Sequence, residues 1–163
     1  MTAQMDDSLA VLLLPGKLEG LALEGHARDL LSIPRVVALE PSRVRPSRIL
    51  RDAASLRQAR RLRFPGRLRL LVLYHPRQYP LARALCACHE DLDLWYIPPG
   101  REALAADEAH TQLLAFDELA RERARQVLTA TEGGGVDDAP LRARLRELDV
   151  ISPRAFIPGG RRR

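Results

Sequence analysis

Lysine is almost missing from this chain: Lys17 is the only one among 26 basic residues. The rest are arginines, which keep their charge at any physiological pH and fork onto phosphate or carboxylate. The same bias also arises from a GC-rich coding background, so by itself it does not name a partner. Aromatic residues are scarce, at 4%. That excludes an aromatic core and the stacking platforms that bind single-stranded nucleic acid, so nucleic acid is not an expected partner. The core must be built from Leu, Val, Ile and Ala, which suits helices covering a buried parallel sheet. There are two cysteines, Cys86 and Cys88. Two apart on one helix, they are poorly placed to pair with each other. With His89 they outline a Cys-x-Cys-His motif, but no second cluster completes four ligands, so neither a metal nor another cofactor is expected. Free thiols fit the cytoplasm. No apolar run is long enough to span a bilayer: Leu9 to Leu14 is far too short, and the polar, acidic start Met1 to Asp7 does not read as a signal peptide. Contact with a membrane surface stays open.

What is present is a chain of 163 residues, 46% hydrophobic, with a formal net charge of +5. That is one domain's worth, with enough apolar material for a core. Short aliphatic runs alternate with longer amphipathic stretches. Ala10 to Leu14, Arg35 to Leu39, Leu68 to Tyr74, Leu92 to Ile97, Gln126 to Ala130 and Arg154 to Ile157 read as strands. Leu23 to Ser32, Arg48 to Arg63, Tyr79 to His89, Arg101 to Arg123 and Pro140 to Leu148 read as helices. The longest of these is bent or split near His110. Pro15-Gly16, Pro34, Phe64-Pro65-Gly66, Pro98-Pro99-Gly100 and Pro158-Gly159-Gly160 punctuate the alternation. The pattern predicts a single α/β domain over residues 1–160, followed by a basic tail, Arg161 to Arg163. Its expected form is a Rossmann-like, doubly wound, mostly parallel six-stranded sheet with helices on both faces. The expected strand order is 3-2-1-4-5-6, with ligands approaching the carboxyl ends of the strands.

Several candidate sites follow from that layout. The loop after the first strand, Pro15 to Gly20, holds Gly16, Lys17 and Gly20. Its glycines would let backbone N–H groups approach an anion, although the loop matches neither a Walker A nor a Gly-x-Gly-x-x-Gly motif. An ordinary turn is the competing reading. His26 lies just beyond, facing either the crevice or solvent. Tyr74-His75-Pro76-Arg77-Gln78-Tyr79 is the densest polar cluster directly after a strong strand. His75 is the candidate general base, and Arg77 and Tyr79 are candidate substrate contacts; the competing reading makes His75 a turn residue serving backbone groups. Trp95 and Tyr96 end the fourth strand, and one of them could stack on a sugar or base. Gly133 to Gly135 reads as a flexible loop. Asp137 and Asp138 read as capping groups before a helix rather than metal ligands. Arg57, Arg60, Arg61, Arg63, Arg67 and Arg69 form a basic stretch that reads either as a solvated helix face or as an anion-binding surface.

Three further segments carry a family resemblance. They are Leu119 to Thr131, Leu141 to Val150, and Ala155-Phe-Ile-Pro-Gly-Gly160, together with the paired runs Leu71-Val-Leu-Tyr-His75 and Leu94-Trp-Tyr-Ile-Pro98. In pattern these resemble the N-terminal, acceptor-side domain of GT-B fold glycosyltransferases, in the large retaining family that uses nucleotide sugars. The Asn-Gly-Val-Asp continuation typical of that family does not follow Pro158. The resemblance implies a transferase half whose His75 faces the acceptor and whose Pro15 to Gly20 loop lies over donor and acceptor. It implies a sugar or nucleotide-sugar ligand, and a donor-domain protein or a second copy as partner. The alternative is a non-catalytic Rossmann-like module that binds a small molecule, a nucleotide or an anionic surface.

Overall fold

The computed structural model describes residues 7–15, 23–39, 48–130 and 135–151, with backbone alone for 48–53. Five strands, β1 (Ser8–Leu13), β2 (Val36–Leu39), β3 (Arg67–Leu73), β4 (Asp93–Tyr96) and β5 (Gln126–Val127), form one sheet. Every pairing is parallel. The helices are α1 (Glu24–Leu31), α2 (Arg48–Arg61), α3 (Tyr79–Cys88), α4 (Arg101–Ala105), α5 (His110–Arg123) and α6 (Ala139–Glu147), with a 3-10 turn at Pro76–Gln78. The long helical stretch is split: α4 stops at Ala105, and the Asp107 carboxylate accepts from the Ala109 N–H at 2.9 Å before α5 starts. The expected sixth strand, Arg154 to Ile157, lies outside the described residues.

The strand order is β2-β1-β3-β4-β5, not the expected 3-2-1-4-5-6. The reason is burial. In β1 every residue is buried, and in β3 every residue from Leu70 to Leu73 is; in β2 only Val36 is. A strand covered on both faces belongs in the middle of a parallel sheet. The expected order would have put β3, the longest aliphatic run, at an edge. The observed order puts β1 and β3 side by side in the centre and leaves the weak β2 and β5 outside.

Side chains alternate across the sheet, so two cores form. Ala10, Leu12, Leu70, Val72 and Trp95 pack with Ala27 and Leu30 of α1 and Leu141 and Leu145 of α6. Val11, Leu13, Leu71, Leu73, Leu94 and Tyr96 pack with Ala59 of α2, Leu81 and Leu85 of α3, and Phe116 and Ala120 of α5. The β1–β3 register shifts between Leu9 and Ala10, skipping Arg69. Leu68 therefore joins the α2/α3/α5 side, although Leu70 faces the other way. Just before this bulge, Arg67 N–H donates to the Asp7 carbonyl at 2.8 Å. A Cβ on Gly66 would stand 2.3 Å from that same carbonyl oxygen, which is backbone and cannot swing away. Gly66→Ala is expected to destabilise the chain by about 1–3 kcal/mol, as overpacking does. Urea denaturation of the variant checks this.

Two residues past the end of α6, Asp149 has a φ of 59°, in the left-handed region normally left to glycine. That turn lets Val150 N–H reach the Leu145 carbonyl at 2.9 Å and returns Val150 and Ile151 to the core. Among the described residues no helix is long and apolar enough to cross a membrane.

Candidate functional site

In a parallel sheet all strands end on one rim. β1 pairs with β2 on one side and with β3 on the other, so the order of the strands along the sheet changes direction between β1 and β3. Crevices open at such reversals. Three chain segments bring polar side chains to this rim. Tyr74 is the residue that follows β3, His26 lies in the first turn of α1, and Asp138 immediately precedes α6.

These three form one hydrogen-bonded chain. His26 Nδ1 lies 3.1 Å from Asp138 Oδ2, and His26 Nε2 lies 3.0 Å from the Tyr74 hydroxyl. An ionised carboxylate only accepts, so Nδ1 carries the ring proton. Nε2 of the neutral ring then accepts from the phenol O–H; this tautomer is assigned from the partners. The His26 side chain is 5% exposed and Asp138 is 23% exposed, so the chain runs from the wet rim inward. Burial pulls the His26 pKa below its ordinary value, opposed by the hydrogen bond and charge of Asp138. Arg142 lowers it a little further, and Asp29 raises it. Burial, helped by the Asp138 charge, pushes the Tyr74 hydroxyl far above its ordinary range. The phenol therefore stays protonated. The array has the outline of an acid–base–hydroxyl triad, but so basic a phenol is no nucleophile. It suits a positioned hydroxyl, able to accept hydrogen bonds while His26 holds its proton. Arg142 steadies the outer end, with Nε 3.2 Å from Asp138 Oδ2, one helical turn on.

His75, the expected general base, sits beside this chain in a different role. Its Nδ1 accepts the Arg77 backbone N–H at 3.1 Å, capping the 3-10 turn. In the neutral ring the proton then stands on Nε2, which makes His75 a donor at that atom. Burial, then Arg77, lower its pKa, with Asp107 opposing. His75→Ala is expected to lose a single cap, about 1 kcal/mol, read as a small shift of the urea midpoint. Arg77 reaches Asp107 at 2.8 Å in an exposed pair. Gln78 Nε2 donates to the Leu14 carbonyl at 2.7 Å, tying the β3 exit to the end of β1. Tyr79 is not at the surface: it is 4% exposed and packs on Phe116 with ring centres 6.1 Å apart. Its ring belongs to the core that holds Leu81, Leu85 and Phe116. Trp95 and Tyr96 are both buried, on opposite faces, so neither offers a ring for stacking. The Tyr96 hydroxyl donates to buried Asp117 at 2.7 Å.

The structure thus joins His26 to Tyr74 and places His75 and Arg77 next along the same exit. Gly16, Lys17 and Gly20 lie outside the described residues. Sequence reasoning missed Asp138 as a partner of His26, reading it as a cap. Asp137 takes the capping role instead, accepting from Ala139 N–H at 3.2 Å. The signal available was the Asp138/Arg142 spacing of four, which marks an ion pair along a helix. Of the basic stretch, Arg57, Arg60 and Arg61 form the outward stripe of α2, opposite buried Ser55 and Ala59, while Arg67 pairs with Asp91. Among the described residues no group of three His, Cys, Asp or Glu gathers as a metal cage.

No family model, curated protein or solved structure matches this chain.

Proposed function

We propose that the chain is a small-molecule-binding α/β module whose ligand sits on the carboxyl-end rim between β1 and β3. The observation that carries this is the Asp138–His26–Tyr74 chain, which ties three rim segments together beside the reversal of strand order. The order β2-β1-β3-β4-β5, with helices packed against both faces, supports reading the sheet as doubly wound. Buried polar groups cost stability unless they are paired. Spending two of them on a rim, where apolar packing would serve, favours a role in holding a polar ligand. Nucleotides and nucleotide sugars are the first class to try, since arginines such as Arg77 and Arg142 suit phosphate.

The narrower form of this reading is the acceptor-side half of a retaining sugar transferase working with a separate donor-binding chain. It is favoured by His75 and Arg77 standing on the rim, where the resemblance puts the acceptor. Sugar transfer from a nucleotide sugar, measured with and without candidate partner chains, tests that form.

The broader reading is tested by thermal unfolding with UDP, GDP, UDP-glucose and GDP-mannose. A ligand at a hundred times its Kd adds about 2.7 kcal/mol, which raises Tm by about 5 °C or more in a chain of this size. The shift should vanish in Tyr74→Phe. No shift with any of the four, or a shift untouched by Tyr74→Phe, sinks the assignment of the rim.

A further inference from the structure

The opposite edge of the sheet, where the strands begin, also carries a cavity, with a volume of about 400 Å³. Its walls differ in sign. The turn from α3 to β4 supplies Glu90 and Asp91, and the end of α5 with the turn into β5 supplies Arg123 and Arg125. The floor between them is apolar, from Cys86, Leu92 and Leu94.

Most of these charges are already satisfied. Asp91 meets Arg67 at 3.3 Å, and Asp93 holds Arg125 at 3.4 Å and Arg144 at 2.6 Å. Two are left over. Among the described residues neither Glu90 nor Arg123 has an ion-pair partner, and they line the cavity from two different turns of the chain. Burial raises the Cys86 thiol pKa, and Arg123 lies near enough to oppose that rise. α3 ends at Cys88, so the negative end of its helix dipole adds to the acidic side, while the end of α5 lies at Arg123 and offsets part of that cation's field.

We propose that this cavity binds a small aliphatic zwitterion, an α-amino acid with an apolar side chain. Its carboxylate lies on Arg123, its ammonium on Glu90, and its side chain on the floor of Cys86, Leu92 and Leu94. A ligand of one sign would satisfy one of these two charges and leave the other unpaired; a zwitterion satisfies both. The volume falls within the range of small-molecule sites, roughly 300–1,000 Å³. The site is separate from the rim and does not depend on the proposal made for it.

The test is an amide NMR titration of the full chain with L-leucine, N-acetyl-L-leucine and L-leucinamide. L-leucine should give saturable shifts in residues 86–94 and 123–125. Each blocked form lacks one charge and should bind about tenfold more weakly. Glu90 and Arg123 are exposed, so Glu90→Gln and Arg123→Gln should fold and should each weaken L-leucine by a similar factor. The proposal is overturned by any of three results: no saturable shift at millimolar L-leucine, equal binding of all three compounds, or unchanged affinity in both variants.

Discussion

Leu71→Ala should lower the free energy of unfolding by about 2–5 kcal/mol, whereas Leu56→Ala should change it by less than about 0.5 kcal/mol. Leu71 is 0% exposed and Leu56 is 37% exposed. Leu71 sits in β3 opposite Val11 of β1 on one side and Leu94 of β4 on the other. It packs in the core that includes residues of α2, α3 and α5. Truncating it removes apolar contact and leaves a void that two parallel neighbours and a helix layer cannot close without moving the sheet. A whole domain is stable by only about 5–15 kcal/mol, so this one truncation removes a large part of the total. Urea denaturation of both variants measures the difference. A Leu71→Ala variant within about 1 kcal/mol of wild type would mean that β3 is not the central strand. It would also undercut the site, because Tyr74 is carried three residues further along the same chain.

The element boundaries were legible because each strand is a short aliphatic run closed by proline, glycine or charge. Ala10 to Leu14 against Ser8–Leu13, and Leu68 to Tyr74 against Arg67–Leu73, differ by a residue or two. The order of the strands is legible as well, from burial rather than from the fold template that predicts 3-2-1-4-5-6. Leu70-Leu-Val-Leu73 has no polar position at all, while Arg35 to Leu39 begins with a charge and directly follows Pro34. Weighing the two for the sheet centre gives the observed order. The bulge at Arg69 was not legible: an extra residue that turns Leu68 to the other face leaves the sequence looking like one uninterrupted strand.

The site was half legible. His26 and the Tyr74 to Tyr79 cluster stood out because polar residues directly after a buried strand have to face a rim. What could not be read was which of them meet. His26 and Asp138 are 112 residues apart, and their contact depends on α1 and α6 covering the same face. A different strand order would have separated them. That the Tyr79 ring packs on Phe116 could not be read either, since the two are brought together only by α3 and α5 covering the same face. The His75 Nδ1 is taken by the backbone two residues on, a local bond that sequence spacing does not distinguish from a free base.

His26→Ala is expected to cost about 2–4 kcal/mol near pH 7.5, from two lost hydrogen bonds, a buried phenol without an acceptor and a vacated ring volume. Tyr74→Phe should cost less, about 1 kcal/mol, because it removes the donor and leaves only Nε2 unmet. The pH dependence separates His26 from a merely structural ring. Its folded pKa is lowered from 6.5, so the unfolded chain binds the proton more readily. The stability it contributes is complete above pH 6.5 and is lost as pH falls from there through the folded value. His75 and His89 are lowered as well and act in the same direction, so wild type should weaken steadily from pH 7 to pH 5. His26→Gln keeps a polar group at this position but does not titrate in this range. Its stability should therefore fall less steeply over those two pH units, with the slope reduced by up to about one proton's worth, 1.4 kcal/mol per unit. Urea midpoints collected at half-unit intervals give both profiles. If His26→Gln runs parallel to wild type, His26 does not titrate between the two states; the Asp138–His26–Tyr74 chain would then be no more than a packed staple, and the rim would lose its best claim to a ligand.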